Sequence, residues 1–393
     1  MAIPLYYNWR NLLARRLSTI LTLVVVAVII VVLCTLLSFA AGIRASLVAT
    51  GSSINVIVLK PGATAESTSI IQPEESIRLA QTPDVARDAA GNLLMSTEVC
   101  VQTDIPRKGQ GGASANVALR GVDDVAFAVH PEVHITEGRN FRQGMLEVIV
   151  GKAACARFAG LNLGAEVSLG RHGQRQYQVV GIFEAKGGAL ESEIWAPRTM
   201  LCDSYQRRMA SSVCLRMSDA ASAPAAIEYI NGPTVQLDGK LETKYYDDLA
   251  SKTRDIVVLT TVLVGIMAVG AVFAVANTMY SSVDGRRREI AMLRAIGFSR
   301  SAIVLALVTE SLLLSSIAWA CGLGACTLVM PLIGQRQDFL SDQTWTVLAY
   351  ELRLTPMIIV AALALAVIVG ATGAVAPALR AARLDVLEAL RKA

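Results

Sequence analysis

Four long apolar runs, at residues 17–41, 256–280, 303–333 and 357–375, set what this chain can become. A helix needs roughly 20 apolar residues to cross the hydrocarbon core of a bilayer, and each run reaches or nears that length. Inside lipid, a single apolar run satisfies its backbone polar groups by folding as a helix. The reading is therefore an α-helical membrane protein with four transmembrane helices. Composition agrees, with 53% of residues hydrophobic and 17% charged, a balance far from that of an ordinary soluble domain. The net charge of +4 does not point to nucleic acid, because the arginines gather at the edges of the runs. No nucleic-acid partner is expected; the membrane is.

Short loops rich in Arg and Lys stay in the cytoplasm. Residues 1–16 hold Arg10, Arg15 and Arg16 without an acid, the loop between the second and third runs holds five arginines, and the tail holds four basic residues. The loop between the third and fourth runs holds only Arg336 and Arg353, balanced by Asp338, Asp342 and Glu351. Both termini are thus expected on the cytoplasmic side of the membrane. The first run offers small residues at Ser38 and Ala40, as a signal peptide would. Its core exceeds the ~7–15 residues of a signal h-region, so it is read as a retained anchor. The division is a cytoplasmic segment (1–16), helix 1 (17–42), an extracytoplasmic domain (43–253), helix 2 (254–281), a cytoplasmic loop (282–302), helix 3 (303–334), a short outer loop (335–354), helix 4 (355–379) and a cytoplasmic tail (380–393).

Residues 43–253 are a different material, mixed in polarity and punctuated by Gly and Pro. A stretch of this length can bury its own cores, in two subdomains. Strands are expected at 55–59, 91–104, 115–121, 147–150, 166–169, 176–183, 193–196 and 213–217, with helices at 72–80, 152–159, 197–208 and 222–230. The fold class is thus four membrane helices plus a large α+β domain inserted between helices 1 and 2.

The segment 286–300, RRREIAMLRAIGFSR, carries Arg286, Arg287, Arg288, Arg294 and Arg300 against one acid, Glu289. Ile290, Leu293 and Ile296 recur at helical spacing with Met292 alongside, and Gly297 follows as a helix stop. This is a short, basic, amphipathic helix on the cytoplasmic side. It can be an anchor at the headgroups, or a handle by which a cytoplasmic protein moves two spans; the residues alone leave both open.

The stretch SSVDGRRREIAMLRAIGFSRSAIVLALVTESLLLS resembles the coupling loop and next helix of the FtsX-like, MacB-type permease family of ABC transporters. That family's R-E-I-x-x-L-R-A-x-G core is matched by Arg288, Glu289, Ile290, Leu293, Arg294, Ala295 and Gly297. Residues 379–391, LRAARLDVLEALR, are similar to the family's closing motif, which places Arg380, Arg383, Leu384, Leu387, Glu388, Leu390 and Arg391 in it. Asp284-Gly285 departs from the pattern, where the family more often shows Glu-Arg or Glu-Lys. In the inserted domain, Glu137-Gly138-Arg139-Asn140-Phe141 resembles the family's EGR-x-F turn, and 179–183 and 193–197 resemble its VVGI and IW-x-P strands. The start NWRNLLARRLSTILT resembles the family's first helix, so the likeness covers nearly the whole chain.

The resemblance implies a permease that couples ATP hydrolysis by a separate cytoplasmic ATPase to movements of a periplasmic domain that drive efflux or export. It also implies a homodimer or heterodimer of permeases, with a periplasmic adaptor or outer-membrane protein as a further partner. The 393 residues contain no GxxxxGK[ST] phosphate loop, so this chain is expected not to be an enzyme and to bind no cofactor. ATP and Mg²⁺ belong to the partner. Alternatives are a lipoprotein-release subunit, an FtsX-like signalling protein that controls a cell-wall hydrolase, and a receptor-like anchor with no ATPase.

Other constellations read as structural. His130 and His134 are four apart, but Pro131 interrupts them and Glu132 is misplaced for a zinc helix. A loop of surface histidines is expected, and no metal site. Seven cysteines show no CxxC pair; an oxidising compartment would permit disulfides among Cys100, Cys155, Cys202 and Cys214, with pairing open. Glu310, in the third run, is read as structural rather than as part of an ion path. Gly322, Gly324, Gly370 and Gly373 are read as helix-packing residues.

Overall fold

The computed structural model describes residues 16–109, 114–173, 175–251, 253–335, 352 and 354–383. It contains two units: a sheet unit spanning Gly42–Thr253, and a helical unit formed by the described residues up to Ala41 and from Arg254 onwards. Helix α1 (Arg16–Thr50) runs nine residues beyond the apolar stretch, so its last turns belong to the sheet unit.

The sheet unit begins with β1 (Asn55–Leu59), whose five residues are all buried. Helix α2 (Pro73–Leu79) follows, started by Pro73 and by Glu75, whose carboxylate accepts from the Gln72 backbone N–H at 2.8 Å. Next come β2 (Met95–Pro106), β3 (Ser114–Val122), α3 (Ala126–Val129), β4 (His134–Gly138), β5 (Glu147–Gly151), α4 (Lys152–Arg157), β6 (Glu166–Leu169), β7 (Arg175–Glu184) and β8 (Ile194–Pro197). The unit closes with α5 (Arg198–Tyr205), β9 (Ser212–Arg216), α6 (Ala223–Asn231), β10 (Asp238–Leu241) and α7 (Glu242–Ser251).

These strands join in the order β10-β1-β9-β2-β3-β8-β5-β7-β4, with β6 added on β7. Strand β2 makes two lobes of them. Its first four residues, Met95 to Glu98, pair with β9, and from Val99 onwards it pairs with β3. One lobe packs α2 and α6 over β1 and β9 around Val58, Ile71, Leu215 and Ile230. The other has a core on Val117, Val150, Phe158, Tyr177 and Leu201, and another around Phe141, Phe183 and Trp195. The α+β domain of two subdomains is thus present, and the lobes share a strand at Glu98/Val99.

Three elements of this unit carry no periodic signal. Strand β4 is mostly exposed and has a register shift between Ile135 and Glu137. Strand β10 reads Asp-Gly-Lys-Leu and forms because it pairs with β1, while its Gly239 lies against Ile230, where a Cβ would come within 2.9 Å of that side chain. Helix α7 is polar except for Tyr245, Tyr246, Leu249 and Ala250, which cover Leu47, Ile57 and Leu59.

The helical unit continues with α8 (Thr253–Asp284), α9 (Arg287–Ala295), α10 (Arg300–Gln335) and α11 (Pro356–Ala382). Among the described residues, four helices, α1, α8, α10 and α11, are long and apolar enough to cross a membrane. Small residues set their packing. A Cβ on Gly370 would lie 2.5 Å from Ser315 Oγ, one on Gly373 2.8 Å from Val275, and one on Gly322 2.8 Å from the Ala27 carbonyl. Ser311 Oγ also donates to the Gly370 carbonyl at 2.7 Å. Gly324 does not share this role: a Cβ there meets open space.

Candidate functional site

The basic segment between α8 and α10 folds as expected, with a finer division of labour. Helix α9 has Arg286 at its N-cap and is stopped at Gly297, whose φ of +106° suits a residue without a Cβ. Ile290 and Ala291 turn inward; Ile290 is only 3% exposed and joins the apolar cluster formed by Met279, Val283 and Ile303. Burial against α8 and α10 takes Ile290 off the outer face of the helix. Met292 and Ile296 remain open, Ile296 at 77% exposure, and Leu293 is half-buried. Arg287, Arg288 and Glu289 are exposed and Arg294 is half-buried.

Arg286 ties this helix to a span. Its Nη1 donates to Glu310 Oε2 of α10 at 3.0 Å, and its Nε lies 3.4 Å from Glu289 Oε2. Glu310 is 3% exposed and also lies 3.5 Å from the Ser282 hydroxyl of α8. The single acid in the third span therefore joins α8, the loop and α10. Arg287 pairs with Asp284 at 2.8 Å, so the acid at the position that departs from the family pattern holds the loop locally.

The closing motif is described only in part. Arg380 lies over the Tyr280 ring at 5.7 Å, linking α11 to α8. Arg383 caps α11 and, with Leu379, Arg300 and Leu305, lines an open cleft of about 590 Å³ between the ends of α10 and α11. Leu384, Leu387, Glu388, Leu390 and Arg391 lie outside the described residues.

A second constellation, which the sequence reading missed, sits where the two lobes meet. Arg120 on β3 uses all five of its N–H donors on three buried carboxylates: bidentate to Glu193 (2.7 and 2.9 Å), bidentate to Glu66 (both 2.8 Å), and one bond to Glu98 at 2.5 Å. Burial opposes the Glu98 charge, but Arg120 and His130 outweigh it and bring the carboxyl down to about 2. The other Glu98 oxygen lies 3.1 Å from His130 Nε2. His130 is 3% exposed, packed edge-on against Trp195. The expected surface histidine is thus a core residue: helix α3 carries it inward at its C-terminus. A nitrogen of His130, Cys214 Sγ on β9 and a carboxylate oxygen of Glu242 all lie within 4.8 Å of one another, and all three residues are buried. All seven cysteines are free in this structure. The spacing of His130 and His134 hid this cluster because its members come from residues 66–242, brought together only by the fold of the strands.

The turn resembling EGR-x-F has a clear physical basis. Gly138 has φ of +75°, and a Cβ there would lie 2.3 Å from the Val180 carbonyl. Arg139 is bidentate to Glu147 at 2.7 and 2.6 Å, and Phe141 is buried.

Residues 19–232 match the MacB-like periplasmic core domain family, and residues 261–386 match the FtsX-like permease C-terminal family. The chain is 27% identical over 411 residues to the macrolide export ATP-binding/permease protein MacB of Photorhabdus laumondii, covering 99% of this chain and 60% of that protein. It is 26% identical to the Escherichia coli protein of the same name over 396 residues, covering 94% of this chain and 58% of the other. It thus spans about three-fifths of the length of these relatives. Among solved structures, the periplasmic region of MacB from Actinobacillus actinomycetemcomitans aligns with 51% of this chain and 94% of its own length, at 13% identity and a TM-score of 0.37. With its two halves matched in order to the two family domains, the chain belongs to the FtsX-like, MacB-type family of ABC transporter permeases.

Proposed function

We propose that this chain is the permease subunit of an export system in a bacterial inner membrane, driven by a cytoplasmic ATPase that is a separate subunit. Two copies, or one copy with a second permease, would sit on an ATPase dimer that binds ATP and Mg²⁺. The termini and α9 face the cytoplasm and the sheet unit faces the periplasm, as the arginine distribution favours. Movement of α9 is transmitted to α8 and α10, and periplasmic motion expels cargo through an adaptor or outer-membrane partner. The names of the relatives, which join ATP binding, permease and macrolide export, support this reading.

The observation that carries the proposal is the way α9 is held. Ile290 is sunk in the helical core and Arg286 is paired to Glu310 in α10, while Met292 and Ile296 face outward beside Arg287 and Arg288. A push on the outer face is thus delivered to α8 and α10. A simple headgroup anchor would not need a buried ion pair to a span. Leu293 and Ile296 are the contact residues to test. Full-length tagged protein is purified from its native membrane in mild detergent, and co-purifying subunits are identified. The expected result is an ABC ATPase that is lost in Leu293→Asp and Ile296→Asp, with the permease still in the membrane and transport abolished. Unchanged transport in both variants sinks the proposal.

A further inference from the structure

We infer that His130, Cys214, Glu242 and Glu132 form a binding site for a divalent cation of the zinc class at the joint between the two lobes of the sheet unit. Three of the four converge within 4.8 Å, and they supply one nitrogen, one sulfur and one oxygen donor. Glu132 adds an oxygen 3.4 Å from His130 Nδ1, and Glu242 Oε1 lies 3.8 Å from the same nitrogen. Zinc held at 2.0–2.3 Å by a tetrahedron of N, S and O donors places those donors roughly 3.3–3.8 Å apart. Both oxygens therefore stand at ligand spacing from Nδ1, and the sulfur, within 4.8 Å of a His130 nitrogen and a Glu242 oxygen, needs to move at most about 1 Å, within reach of side-chain torsions.

The hydrogen bonds around the cluster leave the right atoms unused. Glu242 Oε2 is taken by the Ser52 backbone N–H at 3.0 Å and by Asn55 Nδ2 at 2.9 Å, which leaves Oε1 facing the histidine. His130 Nδ1 and Glu132 Oε1 are buried and make no hydrogen bond, lying 3.4 Å from each other. Native proteins rarely leave such atoms without a partner. Nε2 is held by Glu98, and Glu98 by Arg120. A carboxylate on the far nitrogen is the usual way a metal-bound histidine is oriented. Without a cation, a protonated ring faces the Glu132 and Glu242 oxygens; with Nε2 as donor and Nδ1 deprotonated, a cation takes the place of that proton between them. Charge points the same way. Five glutamates (66, 98, 132, 193 and 242) surround Arg120 and His130, with Arg216 reaching the adjoining Val129 carbonyl at 3.2 Å. Mixed nitrogen, thiolate and carboxylate donors in fourfold array suit Zn²⁺ better than Mg²⁺ or Ca²⁺, which take oxygen. On binding, the Cys214 thiol gives its proton to solvent and the sulfur becomes a thiolate ligand.

The test uses the full chain in detergent, freed of metal with a chelator and then titrated with Zn²⁺ or Co²⁺. One metal is expected per chain, with a rise in the thermal unfolding midpoint. The Co²⁺ form should show a thiolate-to-cobalt charge-transfer band and the visible bands of a tetrahedral site. Cys214→Ser should remove the charge-transfer band, while Cys34→Ser, in the helical unit, keeps it. Glu98→Gln, which frees the ring but keeps every ligand, should weaken binding about 10–100-fold. A wild-type chain that binds no metal, or whose Co²⁺ spectrum lacks the thiolate band, overturns the assignment. So does a band that survives Cys214→Ser. If Cys214→Ser does not fold, loss of the band in Cys34→Ser overturns it and retention upholds it.

Discussion

Arg120 and Arg286 are both arginines drawn out of water onto glutamates, yet they are built for different tasks. Arg120 spends five donors on three carboxylates and is 4% exposed. Its bonds tie β3 to Glu98 of β2, to Glu193 just before β8 and to Glu66 after β1, and no donor is left to exchange. Arg286 divides itself between Glu289 of its own loop, at 3.4 Å, and Glu310 of α10, at 3.0 Å. One of those partners is half-exposed, at 51%, the other buried. The first arrangement locks two lobes; the second joins α9 to a span, the contact that the proposed function uses as a handle. A buried charge that is saturated with partners resists motion, and one shared between a loop and a helix can transmit it.

The largest expected effect comes from breaking the lock. Arg120→Met leaves three carboxylates buried without their cation, and removing one member of a buried ion cluster costs about 3–5 kcal/mol. That is a large part of the roughly 5–15 kcal/mol that holds a domain folded. The variant should be poorly recovered from membranes, and its sheet unit should be cut rapidly by protease. An unfolding midpoint within a few degrees of wild type would show that the cluster does not lock the joint.

Breaking the handle should cost stability less and function more. In Arg286→Met, Glu310 keeps the Ser282 hydroxyl nearby, so the loss is that of one unsatisfied buried group, about 1–3 kcal/mol. Glu310→Gln should do the same from the other side. The two substitutions together should cost less than their sum, with an interaction of about 0.5–3 kcal/mol. Membrane insertion should persist, and on the proposed function ATPase-driven transport should fall severely in each. If the single variants unfold as readily as Arg120→Met, or if their effects simply add, Arg286 and Glu310 are not the joint described here.

The two regions also differ in how far the sequence exposes them. The handle is local: its arginines, its helical spacing and Gly297 lie within fifteen residues, and periodicity alone reveals them. What periodicity hides is facing, since Ile290 and Ile296 carry the same signal and only packing sends one inward. The lock is non-local. Glu66, Glu98, Arg120, His130, Glu193 and Glu242 are scattered over most of the sheet unit, each looking like an ordinary surface charge. Strand pairing puts Glu98 at the switch from β9 to β3 and Cys214 opposite Ser96. The short strands β4 and β10 escape notice for the same reason, as their formation is dictated by neighbours rather than by their own residues. The four spans and the order of most strands are legible because hydrophobic runs and alternation are local properties.

A third arginine sharpens the comparison from the surface. Arg139 is bidentate to Glu147, like Arg120 to Glu193, but its side chain is 45% exposed. Its hydrogen bonds, with help from the Arg142 backbone N–H, hold the Glu147 carboxyl below its ordinary range in spite of the glutamate's burial. The folded carboxyl is thus more acidic than the unfolded one, at about 4.3. The pair's contribution is complete above that value and is lost as pH falls through the lowered folded value. Solvent screening keeps it small. Arg139→Gln should therefore lower the unfolding midpoint slightly at neutral pH, and the gap from wild type should close as the solution is acidified through the lowered folded value. A gap that stays constant across that range would mean that Arg139 acts by packing the turn at Gly138, and that its charge, unlike those of Arg120 and Arg286, is incidental.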